Sequence, residues 1–443
     1  MRIFNKEISN AALVMMGAVV VIILLISSIF LGILPGSKPQ KAGQATLEFW
    51  GLFDSASVWQ PLFDEYRKTH SNTFFKYTQM EPAAYEQKLI EALASGKSPD
   101  IIMFRSSWLP KHGNKISPLP ETMMTLRTFQ ETFPDVATID FVSSGKIYAL
   151  PVWTDALSMF YNKDLFNTAG VAVPPKTWED FIKVVQKLTS KDKSGNLLKS
   201  GAAVGAADNV DNAADILSLL MLQTGTRMIS DDGAKAVFDQ AVTVNGTNYK
   251  PGESALRFYT DFANPKSGAY VWNNNLPNSF DAFASGQAAI IFDYAVNIPR
   301  LKQKAPNLRL GVAPIPQLSG ESKTVNYADF WGYSVPAASK NSVSAWEFII
   351  FLTGVDTNRY FANAVSRPAA RRDVLNEEKS SPDLGVFAES VLSATNWYQT
   401  DPAAVENIFK DMLNAVVLRN TTPADAISDA AARVSSLMRK NEF

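Results

Sequence analysis

The segment Thr46–Phe104, TLEFWGLFDSASVWQPLFDEYRKTHSNTFFKYTQMEPAAYEQKLIEALASGKSPDIIMF, alternates short apolar runs with amphipathic stretches. Thr46–Trp50 (TLEFW) reads as a short buried strand. Val58, Leu62, Phe63 and Tyr66 then recur at helical spacing and predict a helix over about 58–69. Phe74–Gln79 reads as a second strand. Tyr85, Leu89 and Leu93 stripe a second helix, stopped at Gly96 and followed by Pro99. Asp100–Phe104 (DIIMF) is a third strand. This order predicts an α/β fold with a largely parallel sheet and helices on its faces. Ligands of such sheets sit beyond the carboxyl ends of the strands. The loops after Trp50 and after Phe104 are therefore candidate walls of one cleft.

Further along, Thr177 and Asp180 form a capping box that opens a helix to about Thr189. Ala288–Phe292 and Leu308–Pro314 read as strands, each preceded by a helical stretch. After about Asn341 the chain becomes mainly helical, with Val343–Leu352 stopping at Gly354. Thr422-Pro423-Ala424-Asp425 starts the last helix.

At 443 residues the chain suits two or three domains. Hydrophobic residues make up 46% and charged residues 19%, a globular balance. Lys and Arg number 42 against 43 Asp and Glu, a net charge of -1. The basic surplus that neutralises phosphates is missing, so no nucleic-acid partner is expected. Cysteine is absent, which excludes disulfides, thiolate nucleophiles and thiolate-held metals. His70 and His112 are too few for a multi-histidine metal site. Asp192–Asn196 is a turn without the ligand series of a calcium loop, and no P-loop, GxGxxG or GxSxG occurs. No metal, cofactor or catalytic residue is expected.

Ala11–Leu34 contains no charged residue. About 24 residues at a rise of ~1.5 Å each span a bilayer core of ~30 Å. Residues 1–10 form a cytoplasmic leader and 35–43 a tether rich in Pro and Gly. A cleaved signal has an apolar core of ~7–15 residues and a small-x-small site. The longer run here, with no such site after Leu34, favours an uncleaved transmembrane anchor over a signal. Without cysteine this helix is the visible way to hold the protein at a membrane. Arg2 and Lys6 face Lys38 and Lys41 across it, so flanking charge does not set the orientation.

From about Thr46 to Met438 the chain resembles the family-1 extracellular solute-binding proteins, which include the maltodextrin-binding proteins. The resemblance is carried by segments in the family's order: Ala92–Phe104, Gly145–Phe166 (GKIYALPVWTDALSMFYNKDLF, the most specific), Pro174–Phe181 (PPKTWEDF), Phe283–Phe292 (FASGQAAIIF), Trp331–Gly354 and Arg367–Arg372 (RPAARR). It implies a periplasmic-binding-protein-like architecture, two α/β lobes joined by three crossovers with a ligand cleft between them. By analogy, lobe 1 is 44–153 with 331–379 and lobe 2 is 154–330 with 380–443. It further implies capture of a solute, delivery to an ABC permease with its ATPase, and a monomer whose soluble part is extracytoplasmic. The missing lipid-anchor cysteine departs from many family members and gives the N-terminal helix its role.

A sugar site needs flat aromatic faces and polar groups at their edges. Ionised Asp suits the edge because charge-assisted hydrogen bonds are the stronger ones. Trp153 and Asp155, two apart in PVWTD at the implied first crossing, share one side of an extended segment. Trp50 and Asp54 close the first strand and its loop, Trp50 reading equally as core and Asp54 equally as a solvated turn. Ser106 and Trp108 follow the third strand. Asp293, Tyr294 and Asn297 follow the Ala288–Phe292 strand. Trp331 sits at the implied second crossing, and Trp397 and Tyr398 lie in a polar connection, where packing beneath the loop competes with ligand stacking. Asp208–Asp211 (DNVD) is read as a turn, and Arg371 and Arg372 as surface ion pairs. Two other classes share this pocket: a carbohydrate-cutting enzyme with paired carboxylates, which has no motif support, and a solute-sensing subunit.

Overall fold

The computed structural model describes residues 45–440 apart from Asn245. The leader, the anchor and the tether expected from the sequence lie outside the described residues. Among the described residues no helix is long and apolar enough to cross a membrane.

The chain begins β1 (Ala45–Gly51), α1 (Ala56–Arg67), β2 (Thr73–Gln79), α2 (Pro82–Ala94), β3 (Ile101–Arg105). β4 (Ile116–Ser117), α3 (Asp135–Phe141) and β5 (Leu150–Pro151) follow. Next come β6 (Ser158–Asn162), α4 (Trp178–Leu188), α5 (Ala213–Gln223), α6 (Pro251–Asp261), β7 (Ile290–Asp293) and β8 (Leu310–Ala313). The chain continues through β9 (Asn326–Tyr327), β10 (Trp331–Pro336), α7 (Ser342–Leu352) and α8 (Val355–Val365). It ends with α9 (Gly385–Leu392), β11 (Ala394–Thr395), α10 (Pro402–Val417) and α11 (Pro423–Lys440).

In α1 the buried residues are Trp59, Leu62, Phe63 and Tyr66, so the apolar stripe starts at Trp59 and not at Val58. Both threonines cap their helices. Thr177 Oγ1 accepts the Asp180 N–H at 3.2 Å, and Thr422 Oγ1 accepts the Asp425 N–H at 3.1 Å. Gly51 ends β1 where a Cβ would lie 2.5 Å from the Tyr77 hydroxyl. A bare backbone there lets Tyr77 cross over and donate to the Asp54 carbonyl.

Two sheets organise two separate cores. The first runs β2-β1-β3-β10-β4, with β5 also on β10. Its β1–β2 and β1–β3 pairs are parallel, but β10 runs antiparallel to β3. The second is β7-β6-β8, with both outer strands antiparallel to β6. The largely parallel sheet expected from the sequence therefore holds only for β1–β3. The reason is topological. β6 and β10 each carry the chain out of a crossing between the two cores, so they run away from the interface while their neighbours run toward it.

The buried cluster around Phe49, Trp59 and Phe348 ends at Ala156 and resumes at Ala328. The one around Phe160, Phe181 and Trp272 spans Leu157 to Tyr327 and resumes at Phe387. α9 serves both: Phe387 packs into the second cluster, Ala388 and Val391 into the first. The carboxyl end of β3 and the start of β10 meet at Arg105 and Trp331. This edge of the first sheet faces the second core.

Candidate functional site

The segments that cross between the cores lie side by side. β9 pairs in parallel with β11, Ala156 bridges Ala328, and the Leu157 N–H donates to the Tyr327 carbonyl at 2.9 Å. Asp155 belongs to this hinge. It is wholly buried, and its carboxylate accepts the N–H groups of Ala156, Ala295 and Val296 at 2.9, 3.1 and 3.0 Å. Burial pushes its carboxyl up to about 8, against the pull of those donors. The expectation of a ligand-facing Asp155 is thus corrected: its oxygens are committed to tying the hinge to the turn after β7.

Beside the hinge, the two cores enclose a polar cavity of about 40 Å³. The first supplies Arg105 and Ser106 from the end of β3 and Asp140 from α3. The second supplies Asp215 from α5 and Glu406 from α10, and Asp329 comes from the crossing. Arg105 donates to both oxygens of Asp329, at 2.9 and 2.8 Å. Tyr294 donates to Asp215 Oδ2 at 2.8 Å, and the Asn396 amide to Asp140 Oδ2 at 2.7 Å. Burial, and after it the charge of Asp329, push Asp215 up to about 7. Burial also holds Asp140 well above the usual carboxylate range.

Ser106, Ser107, Asp140, Trp397 and Gln399 also line a wider groove of about 520 Å³, which Tyr148 and Tyr398 complete. Ligand pockets are commonly ~300–1,000 Å³. On the far side of Glu406, a polar recess of about 430 Å³ continues past Asp208, Asp211 and Asn297. A mainly apolar pocket of about 650 Å³ lies around Pro174, Pro175, Ile315 and Leu392, away from the charged cluster.

The sequence-predicted residues divide. Ser106 is buried and lines both cavities, Trp397 lines both, and Tyr398, 45% exposed, lines the groove. The Trp397 ring stacks on Phe409 at 5.8 Å and its N–H reaches Ser218 Oγ at 3.3 Å. Trp108, Trp153 and Trp331 do come together. Phe53 meets Trp153 and Trp331 edge-on at 5.9 Å, and Trp108 meets Trp331 at 5.2 Å. They form a packed wall in which Trp108 and Trp153 are buried and Trp331 keeps part of its surface. The reading of Trp108 and Trp153 as open stacking faces is corrected, because edge-on aromatic packing covers them.

Asp54 is corrected too. Arg367 grips it through both terminal nitrogens at 3.0 and 2.5 Å, with side chains 4% and 6% exposed. Trp50 packs half-buried against the first core and lines none of these cavities. Asp293 is buried and accepts from Asn297 at 2.7 Å, Asn212 at 3.3 Å and its neighbour's N–H at 2.8 Å. Its carboxyl is a loop fastener and not a ligand edge. Asn297, its partner, lines the polar recess, and Tyr294 stands buried behind Asp215. Arg371 and Arg372 pair with Asp373 and Asp135 at the surface, and Asp192 closes a local turn by accepting from Ser194 and Asn196.

Sequence reasoning missed Arg105, Asp140, Asp215, Asp329 and Glu406. Two carried a signal. Arg105 ends a strand that is otherwise buried, and Asp215 is the acid in the apolar helix AADILSLLMLQ. A charge on such an element requires a partner or a reachable cavity.

The family profile of bacterial extracellular solute-binding proteins matches residues 50–358, well over half of the chain. The chain belongs to that family. Among its relatives is a binding protein of Brucella abortus, 23% identical over 362 residues that cover 80% of this chain and 83% of that one. Two solved structures share the fold of this solute-binding protein. An ABC transporter solute-binding protein of Thermotoga lettingae, bound with α-D-tagatose, superposes with a TM-score of 0.71 at 22% identity, covering 89% of this chain and 100% of that one. The cyclic α-maltosyl-1,6-maltose binding protein of Arthrobacter globiformis gives 0.74 at 17% identity, covering 90% and 100%. In this chain the polar cavity and the groove adjoin beside the crossings between the cores.

Proposed function

We propose that this solute-binding protein is the capturing component of an ABC importer. It closes two lobes over a saccharide beside the hinge and passes it unaltered to a transmembrane permease served by cytoplasmic ATPases. The carrying observation is the cavity walled by both cores and floored by the crossings, with Arg105, Asp140, Asp215 and Asp329 converging on it. Such a site couples a guest to closure, since a molecule bridging both walls stabilises the closed population by its differential affinity. Carboxylates, Ser106 and Gln399 suit a rim of hydroxyls, and Tyr148, Trp397 and Tyr398 offer rings beside them. Among proteins of this fold, one holds tagatose and another is named for a maltose derivative.

Within this reading the lobes are 44–153 with 331–379 and 154–330 with 380–443. The exchange of cores between Ala156 and Leu157 and between Tyr327 and Ala328 supports divisions near the first two of those limits. The protein works as a monomer, without metal or cofactor, and the apolar run Ala11–Leu34 anchors it with the soluble part extracytoplasmic. The ligand contacts we assign are Ser106, Trp397 and Tyr398, joined by Arg105, Asp215 and Gln399.

The test is a thermal-shift screen of the full chain in detergent against mono- and oligosaccharides, with the mass of each glycan read afterwards. A saccharide that prefers the native state raises the melting temperature, and its mass stays unchanged. A flat response to every saccharide refutes saccharide capture. A shortened glycan would make the protein a carbohydrate-cutting enzyme instead.

A further inference from the structure

Resting on the saccharide-capture reading, we propose that the preferred guest carries a positive charge. It is an amino sugar whose ammonium enters the small cavity between Asp140 and Asp215 while its ring lies in the adjoining groove.

Size is the first argument. The cavity of about 40 Å³ has room for a few water-sized groups, each needing ~10–15 Å³ on this measure, but not for a sugar ring. The groove of about 520 Å³ beside it does have that room, and the two share Ser106, Asp140 and Trp397. A body in one and a compact head in the other fills both.

Charge is the second. Among the described residues Arg105 is the cation lining the small cavity, and it is committed to Asp329 through two hydrogen bonds. Glu406 holds Lys410 at 2.6 Å. Asp140 and Asp215 face no cation within ion-pair distance among the described residues; their partners are the Asn396 amide and the Tyr294 hydroxyl. Beyond Glu406, Asp208 and Asp211 also meet amides, from Asn414 and Asn278, while Arg300 and Lys410 supply the cations of that outer recess. A water-poor carboxylate without a counter-ion is unfavourable, so each holds a proton until a cation takes its place. A hydroxyl supplies only the bond. An ammonium supplies three donors and the charge.

The experiment is calorimetric titration of the full-length protein at pH 7 with pairs differing only at carbon 2 of each ring. The pairs are glucose and glucosamine, galactose and galactosamine, mannose and mannosamine, and cellobiose with its β-1,4 glucosamine dimer, free and N-acetylated. The expected result is that an amine binds at least about tenfold tighter than its hydroxyl or acetamido counterpart. In buffers of different ionisation heat, that amine also releases protons on binding. Asp215→Asn narrows the gap, and Asp140→Asn does so independently should the first variant fold poorly. Hydroxyl forms that bind as tightly as amines overturn this inference and leave saccharide capture standing. If no saccharide of the wider screen binds, both fall.

Discussion

Two arginine–aspartate pairs join distant parts of this chain, and they do opposite things. Arg367 and Asp54 are 4% and 6% exposed, locked to each other, with Arg367 lying 4.9 Å over Trp153 and 5.5 Å over Phe53. Arg105 and Asp329 are 32% and 22% exposed and stand in the cavity between the cores, where Asp140, Asp215 and Glu406 outnumber the arginine. The first pair is charge-balanced and sealed, so it serves the fold. The second is unbalanced and reachable, so it leaves valence for a guest. Burial and stoichiometry, more than residue type, separate the two roles.

The sealed pair gives the largest expected effect. Arg367→Met leaves Asp54 charged in a dry core, and breaking a buried pair by removing one partner costs about 3–5 kcal/mol. At roughly 2–4 °C per kcal/mol for a unit of this size, the melting temperature should fall by about 10 °C. Thermal and urea unfolding of the variant measure it. A stability within about 1 kcal/mol of the parent would erase the distinction between the pairs. The cleft pair should behave in the reverse way. Arg105→Ala removes a partly solvated ion pair worth under about 1 kcal/mol to folding, while affinity for neutral saccharides by calorimetry drops roughly ten- to a hundredfold. A variant that loses several kcal/mol of stability but, while still folded, keeps the affinity would exchange the two assignments.

Much of the frame was legible because it is written in local periodicity. The β1–α1–β2–α2–β3 unit and both threonine caps follow from spacing and cap chemistry, which need no distant partner. The antiparallel entry of β6 and β10 was not legible, since pairing direction depends on where the chain returns from the other core. The same limit applied to the site. Asp54 looked free because its partner stands at Arg367, and Asp155 looked free because Ala295 and Val296 arrive from a separate loop. Arg105 stood next to Ser106, which the sequence reading named, and Asp329 two residues before Trp331. Aromatic residues drew the reading toward the wall and away from the ions in front of it.

Asp215 gives the most local effect. Its carboxyl is pushed up to about 7, first by burial and then by Asp329, whereas an unfolded Asp titrates near ~3.9. Between those values the folded protein holds a proton that the unfolded chain has released. Stability contributed by this group is therefore present at low pH and declines as pH rises from about 4 to about 7. Burial pushes Asp155, Asp293 and Glu378 the same way, to about 8, 6 and 7, so these three groups add to the same downward slope. The informative quantity is the difference between the parent and Asp215→Asn, which cannot titrate there but still accepts from Tyr294. Urea unfolding at half-unit pH steps should show the variant gaining on the parent between pH 4 and 7 and running parallel above it. With a cationic guest bound, that gain should shrink, because the ammonium stabilises the ionised carboxylate of the parent. Parallel curves from pH 4 upward would mean that water or a cation already satisfies Asp215, and the cleft would then be as balanced as the Asp54–Arg367 core.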